Sequence, residues 1–526
     1  MSSVELKDEL NAIATAKTET NSEWSWFQKF WFRVAFIFFT VIAIPTSARW
    51  YEFIYKLDWT NLHCRDLYNL TNYTPDFVEL KNRYGFAGFA SWGVLFVAAV
   101  IGSLVWGWLD SKRKNYDVLY YWLRVIVRYR AALGIIGFGF LKLFPAQMPY
   151  PSLGILNGDF GDMTQQKVYW MSVAIVPFYQ AFSGVLEVSA GVLLLFRKTI
   201  TWGSALLFSA LGTIAVVNVT YDNTLHVYAT YFALASAFLM LHDFVKTKEL
   251  LIDEKFVLPY KYYYPKFEKG WQKYTRIFLK STLIFVFVVW AFYLEGINFL
   301  YDPYKQPSIK GIKELRGNYD VSEFRINNKL IPYAPLDSVR WSEVTFEKWT
   351  SLSFKVNKPV QIDLSNGGGS PAMDIHRTTE VAGLAGGRRV FYYQADTVNQ
   401  ILYLQDKNIT SLRPGGDLNE RRSPDKILKD TIYPKDWIPK QSLAVIGDEL
   451  YKINPKAMST TRVREYETGD KFKNRNKMIL HYQIVDGGSR VILYGTNEKR
   501  DSIHIVLNRT DRKYTLTPSK IDAGVY

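Results

Sequence analysis

Polar and charged side chains interrupt three apolar runs between residues 128 and 222, each long enough to cross a bilayer. An ionised side chain inside a membrane span costs several kcal/mol unless it finds a partner or water, so such residues usually mark a site within a helix bundle. They could form a polar network or line a cavity for a small polar head group. The candidate residues are Arg128, Arg130, Lys142, Tyr179, Glu187, Asn218, Tyr221 and Asp222.

The second of these runs places small and acidic residues on one predicted helix face. Gly184, Glu187 and Gly191 follow one another at i, i+3 and i+7, which is one side of an α-helix. The two glycines are predicted helix-packing residues because they would let a neighbouring helix approach closely. Glu187 would then point into that contact.

Two interpretations of Glu187 stay open from the sequence. In the first, a cavity near the outer half of the bundle holds a quinone or another small polar head group, and its lining is Lys142, Tyr179, Glu187 and Asn218. In the second, Arg130 or Lys142 forms a buried ion pair with Glu187. Such a pair would specify the arrangement of the helices.

Seven apolar runs predict the membrane-spanning elements that position these residues. Each approaches the ~20 residues needed to cross about 30 Å of hydrocarbon. A polar cytoplasmic segment, 1–30, precedes the helix bundle, 31–300. The predicted spans are 32–46, 86–109, 118–144, 171–196, 201–219, 227–245 and 277–297.

Lysine and arginine are concentrated on one side of the predicted bundle. The clearest clusters lie in residues 112–114, 197–198 and 246–276, and the positive-inside rule places these loops in the cytoplasm. The N-terminus is then cytoplasmic, and the odd number of spans puts the C-terminal domain outside, in the periplasm. Because these clusters flank spans, the lipid bilayer accounts for much of the net charge of +15 and no nucleic-acid partner is expected.

Residues 301–526 predict a separate, mainly antiparallel β domain. Short apolar runs at 391–393, 401–404, 491–494 and 502–507 read as strands, and the last two flank a hairpin signature. A small closed or rolled sheet, such as a small barrel, is the natural arrangement. The glycine-rich and charged stretch of about 365–475 is interpreted as long loops or an insertion.

Residue types also limit the cofactor chemistry. The single cysteine, Cys64, excludes an internal disulfide and Cys-based metal motifs. His226 and His242 lie at opposite ends of the sixth span, about 24 Å apart at 1.5 Å per residue, which disfavours haem. A metal at Asp222 and His226 would need two more ligands. No metal site is predicted, no catalytic residue is assigned, and a stand-alone enzyme is not expected.

Three sequence blocks resemble the DoxX-like family of bacterial integral membrane proteins. They are RYRAALGIIGFGFLKLFP at 128–145, SGVLEVSAGVLLLFRK at 183–198 and VVNVTYD at 216–222. The second block resembles a family pattern, G-x-x-E-x-x-G-G, with Ala190 in place of one glycine. The resemblance covers about 118–245 and implies a four-helix core with flanking spans in the inner membrane.

The layout of the whole chain resembles long DoxX-like proteins of Bacteroidetes. These add flanking helices and a C-terminal domain with a G-x-Y-D-V-x-x-F motif, present here as Gly317–Phe324. The resemblance implies an accessory subunit of a membrane redox or sulfur/oxidative-stress pathway. Quinone is the candidate cofactor, and a membrane or periplasmic protein is the candidate partner.

Two other functions compete with this one. The chain could be a non-catalytic envelope protein whose outer β domain binds a partner or an apolar ligand. It could also be a small-molecule or lipid transporter, although no internal inverted repeat is visible.

Overall fold

The computed structural model of the chain describes residues 23–74, 77–78, 85–223, 225–254, 263, 265, 268–360, 362–368, 373–408, 433–434, 436–458, 475–512 and 515–516. The chain divides into two compact units. The helical unit comprises Met1–Leu57, Cys64–Phe140 and Ser183–Tyr293. The barrel unit comprises Asp58–His63, Leu141–Phe182 and Leu294–Tyr526.

Helices dominate the first 300 residues. In chain order they are α1 (Trp26–Ala43), α2 (Ala48–Lys56), α3 (Cys64–Thr71), α4 (Ala90–Leu109), α5 (Asp117–Leu143), α6 (Leu153–Leu156), α7 (Gln165–Ala174), α8 (Pro177–Leu195), α9 (Ile200–Thr220), α10 (His226–Leu251), α11 (Gly270–Ile284) and α12 (Ala291–Tyr301). A further short helix, α13 (Lys440–Ile446), lies late in the chain.

Among the described residues, six helical stretches are long and apolar enough to cross a membrane. They are Trp26–Ala43, Gly85–Leu109, Pro177–Leu195, Arg197–Thr220, His226–Phe244 and Gly270–Tyr301. This pattern is consistent with a multi-pass membrane protein, and it confirms six of the seven predicted spans.

The remaining predicted span, 118–144, is the helix α5. It has 27 residues, about 40 Å at 1.5 Å per residue, which is long enough to cross a bilayer. α5 differs from the six apolar stretches in its content of charged residues, because Arg124, Arg128 and Arg130 lie within it. Whether the chain crosses six or seven times therefore depends on α5.

Local signals move two helix boundaries away from the predicted ones. α1 begins at Trp26 because Ser25 and Gln28 form a capping box, in which each side chain accepts a hydrogen bond from the other residue's backbone N–H. The predicted span 171–196 is split into α7 and α8. Pro177 starts α8, since a proline suits the first turn of a helix and interrupts a helix interior.

A single face of α5 forms much of the helical core. Leu123, Val127, Ala131 and Ile135 are spaced by four residues, and each is at most 1% exposed. Residues at this spacing share one side of a helix. α5 is therefore an interior helix, even though it carries the largest share of charge.

Glycines bring α5 and α8 into close contact. A Cβ added at Gly191 of α8 would lie 2.5 Å from Cγ1 of Ile136 and 3.0 Å from the carbonyl oxygen of Ala132. A Cβ added at Gly139 of α5 would lie 2.7 Å from Cγ2 of Val188. No larger residue fits at either place without moving a helix. Gly191 therefore lies at a close approach between α5 and α8, and Gly184 and Glu187 are also buried.

The last helical stretch, Gly270–Tyr301, contrasts with α5. It is continuous from α11 through a π-helical turn, Phe285–Trp290, into α12. None of the residues in its most apolar window is buried, although this stretch has the highest mean hydropathy of the six. An apolar helix that buries so little within its own chain is suited to contact lipid.

The β domain is a closed antiparallel barrel, as the sequence predicts. Its strands are β1 (Gly317–Ile326), β2 (Lys329–Leu330), β3 (Glu343–Phe346), β4 (Ser351–Lys355), β5 (Arg388–Asp396), β6 (Ile401–Asp406), β7 (Lys477–Val485), β8 (Arg490–Thr496) and β9 (Ser502–Arg509). β1 pairs with both β3 and β9, which closes an eight-stranded ring, while β2 only extends the edge of β1. An irregularity between Val321 and Glu323 lets β1 bend between its two neighbours.

The barrel interior is filled by its own side chains. Trp341 stacks on Phe354 with ring centroids 3.7 Å apart, and Phe354 stacks on Phe391 at 5.5 Å. Apolar residues from all eight strands of the ring complete this core. Eight strands enclose an interior about wide enough for side chains, so this barrel is a packed core rather than a channel.

Parts of the chain that the sequence assigns elsewhere belong to the barrel unit. Strands β5 and β6 lie inside the stretch 365–475, so that stretch is not purely an insertion. Residues 409–432 and 459–474 of it lie outside the described residues. Segment 141–182, predicted as part of the bundle, groups with the barrel.

The contact between α5 and α8 can be tested at Gly191. We expect Gly191→Ala to lower the thermal midpoint of the purified protein in detergent, by the equivalent of about 1–3 kcal/mol, because the added methyl overlaps Ile136. Gly212→Ala in α9 is the control, since a Cβ there meets nothing within 4 Å. Equal midpoints for the parent and Gly191→Ala would contradict the close contact.

Candidate functional site

Arg130 lies halfway along α5 and is buried, with 8% of its surface exposed. Its Nη1 donates to the carbonyl oxygen of Thr71 at 2.6 Å, and its Nη2 donates to that of Tyr73 at 2.7 Å. These carbonyls are available because α3 ends at Thr71 and leaves its last carbonyl groups without helical donors. The end of α3 thus supplies the hydrogen-bond acceptors for the guanidinium.

Aromatic side chains complete the surroundings of Arg130. Its Cζ lies 4.0 Å from the ring centroid of Tyr73 and 5.4 Å from that of Tyr231. The hydroxyl of Tyr228 donates to Oδ1 of Asn72, and the Tyr228 ring packs edge-on against Phe232. We call Thr71, Asn72, Tyr73, Arg130, Tyr228 and Tyr231 the arginine–tyrosine cluster.

Gly134 makes room for this cluster one turn along α5. A Cβ added there would lie 3.0 Å from each of three atoms, namely Nη1 of Arg130, Cζ of Phe232 and the hydroxyl oxygen of Tyr228. Asn72, Tyr73 and Tyr228 are only half-buried, so the cluster reaches the surface of the helical unit.

The charge of Arg130 meets only neutral groups in the described part of the chain. Its partners there are carbonyl oxygens and tyrosines, and its buried Nε makes no hydrogen bond. The end of α3 supplies the acceptors of Arg130. The sequence predicts Arg130 or Lys142 as the partner of Glu187, and the alternative with Lys142 stays a prediction. A buried cation without a carboxylate remains a strong hydrogen-bond donor and favours electron-rich groups.

The other predicted site residues are placed as follows. Glu187 is 1% exposed and faces α5, since a Cβ added at Gly139 would lie 3.2 Å from its Cβ. Asn218 is buried in the last turn of α9, where its carbonyl oxygen accepts from the Asn223 N–H. Lys142 is half-buried in the last turn of α5.

Three predicted residues lie at the surface, and a fourth, Arg128, is buried apart from the cluster. Tyr179 is 55% exposed in the first turn of α8, so it does not line a closed cavity. Tyr221 and Asp222 are exposed in the turn after α9. Arg128 is buried, with its Cζ 4.8 Å from the ring centroid of Tyr129. The convergence of Lys142, Glu187 and Asn218 stays a prediction.

The histidine that follows the end of α9 is held by hydrogen bonds to backbone carbonyl groups. His226 is buried, with Nδ1 2.9 Å from the carbonyl oxygen of Asn223 and Nε2 2.8 Å from that of Gly85. Asp222 points away into an exposed turn. Within the described ranges, no three histidine, cysteine, aspartate or glutamate side chains lie close enough together to hold a metal ion.

The barrel unit contains a buried acid–lysine network that sequence reasoning missed. The carboxylate of Glu380 accepts from Nε1 of Trp349, from Oγ of Ser351 at 3.1 Å and from Nζ of Lys407 at 2.6 Å. Lys407 is completely buried and Glu380 is 4% exposed. These residues come from β-strand ends and from the stretch interpreted as loops, so no local motif signals them.

Glu347 and Lys167 attach the segment 141–182 to the barrel through the same network. The carboxylate of Glu347 accepts from the backbone N–H groups of Leu153 at 3.0 Å and Gly154 at 2.8 Å. Nζ of Lys167 donates to the carbonyl oxygen of Thr379 at 2.7 Å. Both side chains are buried. The first turn of α6 is thereby held against the turn between β3 and β4.

Burial shifts the acid–base properties of this network. Desolvation, together with the nearby charge of Glu380, raises the pKa of Glu347 to about 7. Desolvation lowers the pKa of Lys167 to about 8, against the opposing effects of Asp363 and Glu380. Glu347 and Lys167 therefore titrate close to neutral pH.

A cavity beside the network is too small for an organic substrate. Its volume of about 10 Å³ corresponds to a single water molecule. It is lined by Pro149, Tyr150, Pro151, Ser152, Ile155, Met171, Lys305, Gln306, Pro307, Trp349, Thr379 and Glu380. The network is therefore best described as a buried set of hydrogen-bonded side chains with a structural role, in which Glu347 and Lys167 titrate near neutral pH.

Comparison with known proteins gives no match. No protein-family model, no curated protein and no solved structure matches this chain.

The raised pKa of Glu347 predicts a pH-dependent stability. Between about pH 4.5 and 7 the folded state holds a proton that the unfolded state has lost, so the free energy of unfolding falls as the pH rises. The fall is at most about 3 kcal/mol. We expect thermal midpoints in detergent to fall from pH 5 to pH 7, and Glu347→Gln to flatten this dependence.

Glu323→Gln is the control for Glu347. Glu323 is a half-buried carboxylate of β1 outside the network, and its hydrogen bond with Arg325 lowers its pKa. This variant should keep the fall between pH 5 and 7. A parent protein whose midpoint rises over that range would contradict the protonation of Glu347.

Proposed function

We propose that the chain is a DoxX-like multi-pass protein of the bacterial cytoplasmic membrane that binds the head group of a quinone, or of a lipid with a similar carbonyl-bearing head, at the arginine–tyrosine cluster. It would serve as an accessory subunit of a membrane redox or sulfur/oxidative-stress pathway. The observation that carries the proposal is the buried guanidinium of Arg130, which has no carboxylate among its described contacts and one N–H without an acceptor.

The donor set of the cluster suits such a head group. Quinone carbonyl oxygens accept hydrogen bonds, and arginine and tyrosine donate them. The rings of Tyr73, Tyr228 and Tyr231 provide flat apolar surfaces against which a planar ring can stack. Asn72, Tyr73 and Tyr228 are half-buried and would make the cluster accessible from the side of the helical unit, where an isoprenoid tail would meet lipid.

The depth of Arg130 also fits a lipid-soluble ligand. It lies about 20 Å from the start of α5, which is close to the middle of the helix. At that depth a water-soluble ligand would have to leave water, whereas a quinone is already in the bilayer. A guanidinium in a low-dielectric environment also favours a head group that carries negative charge after reduction.

The sequence motifs support the family part of the proposal. The face with Gly184, Glu187 and Gly191 is buried. Its sequence resembles the DoxX-like motif G-x-x-E-x-x-G-G, from which Ala190 departs at one position. The same resemblance suggests a membrane or periplasmic protein partner. The β-barrel, with its filled core, would offer that partner its outer surface.

Organic extraction and mass spectrometry test quinone binding. We expect protein purified from native membranes to retain quinone, and Arg130→Gln and Tyr228→Phe to retain much less, because each removes a donor from the cluster. Asn218→Leu and Lys142→Met, compared in the same way, test the cavity predicted from the sequence. All samples are compared at matched detergent load.

Arg33→Gln is the matched control. Arg33 is a second buried arginine, whose Nε donates to the Tyr116 hydroxyl at 3.1 Å and whose Nη1 donates to the Ser103 carbonyl at 3.2 Å. Its loss should disturb packing without reducing quinone. Background-level quinone in every sample would remove the redox proposal and favour the competing functions, an envelope protein that binds partners through its barrel or a transporter.

The membrane orientation belongs to the same proposal. Basic loops at 112–114, 197–198 and 246–276 support a cytoplasmic N-terminus, and α5 as a seventh span would place the barrel in the periplasm. Protease added to intact spheroplasts should then cleave beyond residue 300. Protection of that region, with cleavage in 246–276 instead, would overturn this topology, because without a crossing by α5 the loop 246–276 would lie outside and the barrel inside.

A further inference from the structure

The end of the last apolar helical stretch belongs to the barrel unit. That unit contains residues 294–301, which are the final turns of Gly270–Tyr301. Asp302 and Pro303 follow directly and end the apolar run. Tyr301 therefore marks the level at which this stretch would leave the hydrocarbon, where tyrosine rings are common.

Buried carboxylates hold the barrel to this helix end. Nη1 of Arg377 lies 2.7 Å from a carboxylate oxygen of Asp302, and both side chains are at most 2% exposed. The carboxylate of Asp374, 3.7 Å from Nε of Arg377, accepts from the backbone N–H groups of Ser308 at 2.8 Å and Ile309 at 2.9 Å. Directional bonds thus fix the chain that follows the helix end relative to the barrel.

Glu449 ties a short segment of the barrel unit to the same network. Its carboxylate accepts from the backbone N–H of Asp374 at 2.7 Å and from the hydroxyl of Tyr392 at 3.2 Å. Two single turns of 3₁₀-helix follow it, Leu450–Lys452 and Pro455–Ala457. Glu449 and Asp374 are both buried, so these turns are attached to a rigid base.

The two turns lie beside the helix end. Nζ of Lys456 is 5.5 Å from the ring centroid of Tyr301, which is within the range of a cation–π contact. Ile453 and Ala457 are buried, so the turns pack on the barrel with one side and expose the other. We call residues 450–457 the tyrosine–lysine segment.

The exposed side of this segment combines an aromatic ring with cations. Tyr451 is 89% exposed, and Lys452 and Lys456 are also exposed. Leu300, next to the helix end, is 70% exposed. The exposed acid nearest in sequence, Asp448, accepts from a backbone N–H of the segment at 2.9 Å. Tyrosine and lysine are residue types that line membrane interfaces, where the ring enters the head-group region and the ammonium group reaches phosphate.

We propose that the tyrosine–lysine segment docks on the lipid head groups around the end of the last apolar helix. Tyr451 enters the interface, and Lys452 and Lys456 contact lipid phosphates. The bilayer is the occupant because the segment contacts Tyr301, where that helix reaches the membrane surface, and because the buried carboxylates keep it there. This docking fixes how the barrel stands on the membrane. It depends neither on quinone binding nor on which side of the membrane the barrel lies.

The barrel offers a matched control position at its other end. Leu336 is 88% exposed, in the loop between β2 and β3. The chain enters the barrel at Gly317, and Leu336 follows the opposite end of β1, about 30 Å along the strand. Nδ2 of Asn357, just after β4, donates to the carbonyl oxygen of Pro335 at 2.9 Å and holds the loop there. Leu336 is therefore as exposed as Tyr451 but lies away from the proposed interface.

Fluorescence quenching in lipid nanodiscs tests the docking. Tyr451→Cys and Leu336→Cys are each labelled with an NBD fluorophore in the full-length protein, and the parent, whose single Cys64 is buried, gives the labelling background. We expect lipids with a nitroxide near the head group to quench the label at position 451, whose emission is shifted to the blue. The label at position 336 should show neither effect. An unquenched label at 451, or equal quenching at both positions, would overturn the proposal.

Lipid composition tests the two lysines. Replacing phosphatidylcholine by phosphatidylglycerol should increase quenching at position 451, and added salt should reverse the increase. Lys452→Gln and Lys456→Gln, introduced together, should remove the increase, whereas Lys329→Gln in the exposed strand β2 should keep it. The same increase in all these proteins would overturn the role of the lysines.

A protein partner would give a different result. The label at position 451 would then be shielded from an aqueous quencher in native membranes but not in nanodiscs that contain lipid alone. That outcome would overturn docking on lipid, whereas shielding in both preparations supports it.

Discussion

A cation that leaves water must be given oxygen acceptors or an anion, and this requirement organises both units of the protein. In the helical unit, Arg130 is satisfied by the carbonyl groups at the end of α3, and Arg33 by a tyrosine hydroxyl and a carbonyl. In the barrel unit, Lys407 is satisfied by Glu380 and Lys167 by the carbonyl of Thr379. Arg128 and Lys280 lie against aromatic rings, those of Tyr129 and Phe196.

The same requirement explains why short, non-spanning segments belong to the helical core. α3 has only eight residues and cannot cross a bilayer, but its C-terminal carbonyl groups make the interior position of Arg130 tolerable. Non-helical backbone at membrane depth is acceptable where protein surrounds it. The glycines of α5 and α8 contribute by letting the helix that carries the charge sit at the centre of the unit rather than at its edge.

In the barrel unit, apolar packing and buried charged groups have different roles. The stacked rings of Trp341, Phe354 and Phe391, with other apolar side chains, fill the closed barrel. The acid–lysine network orients α6 and α7 by holding them through Glu347 and Lys167. Directional hydrogen bonds define the position of a segment more sharply than apolar contact does, at the cost of desolvating the charges.

Much of the architecture could be read from local patterns. Apolar length predicts six of the spans, strand-like runs and turn residues predict four strands of the barrel (β5, β6, β8 and β9), and the spacing of Gly184, Glu187 and Gly191 predicts a buried helix face. These features follow from the side-chain periodicity of single elements, which is written within a few consecutive residues.

Partners distant in the chain could not be read in this way. Thr71 and Tyr73 lie 59 and 57 residues from Arg130, and Glu347 lies 194 residues from Leu153. The sequence does not show whether Arg130 donates to a backbone carbonyl or to Glu187. Both offer oxygen acceptors, and the sequence does not give their positions relative to Arg130. The amino-acid sequence by itself determined the long apolar helices, part of the barrel and the charges that lie within apolar runs. Only the tertiary structure decided which oxygen each charge meets, because hydrogen bonds of about 3 Å depend on packing between segments that are far apart in sequence.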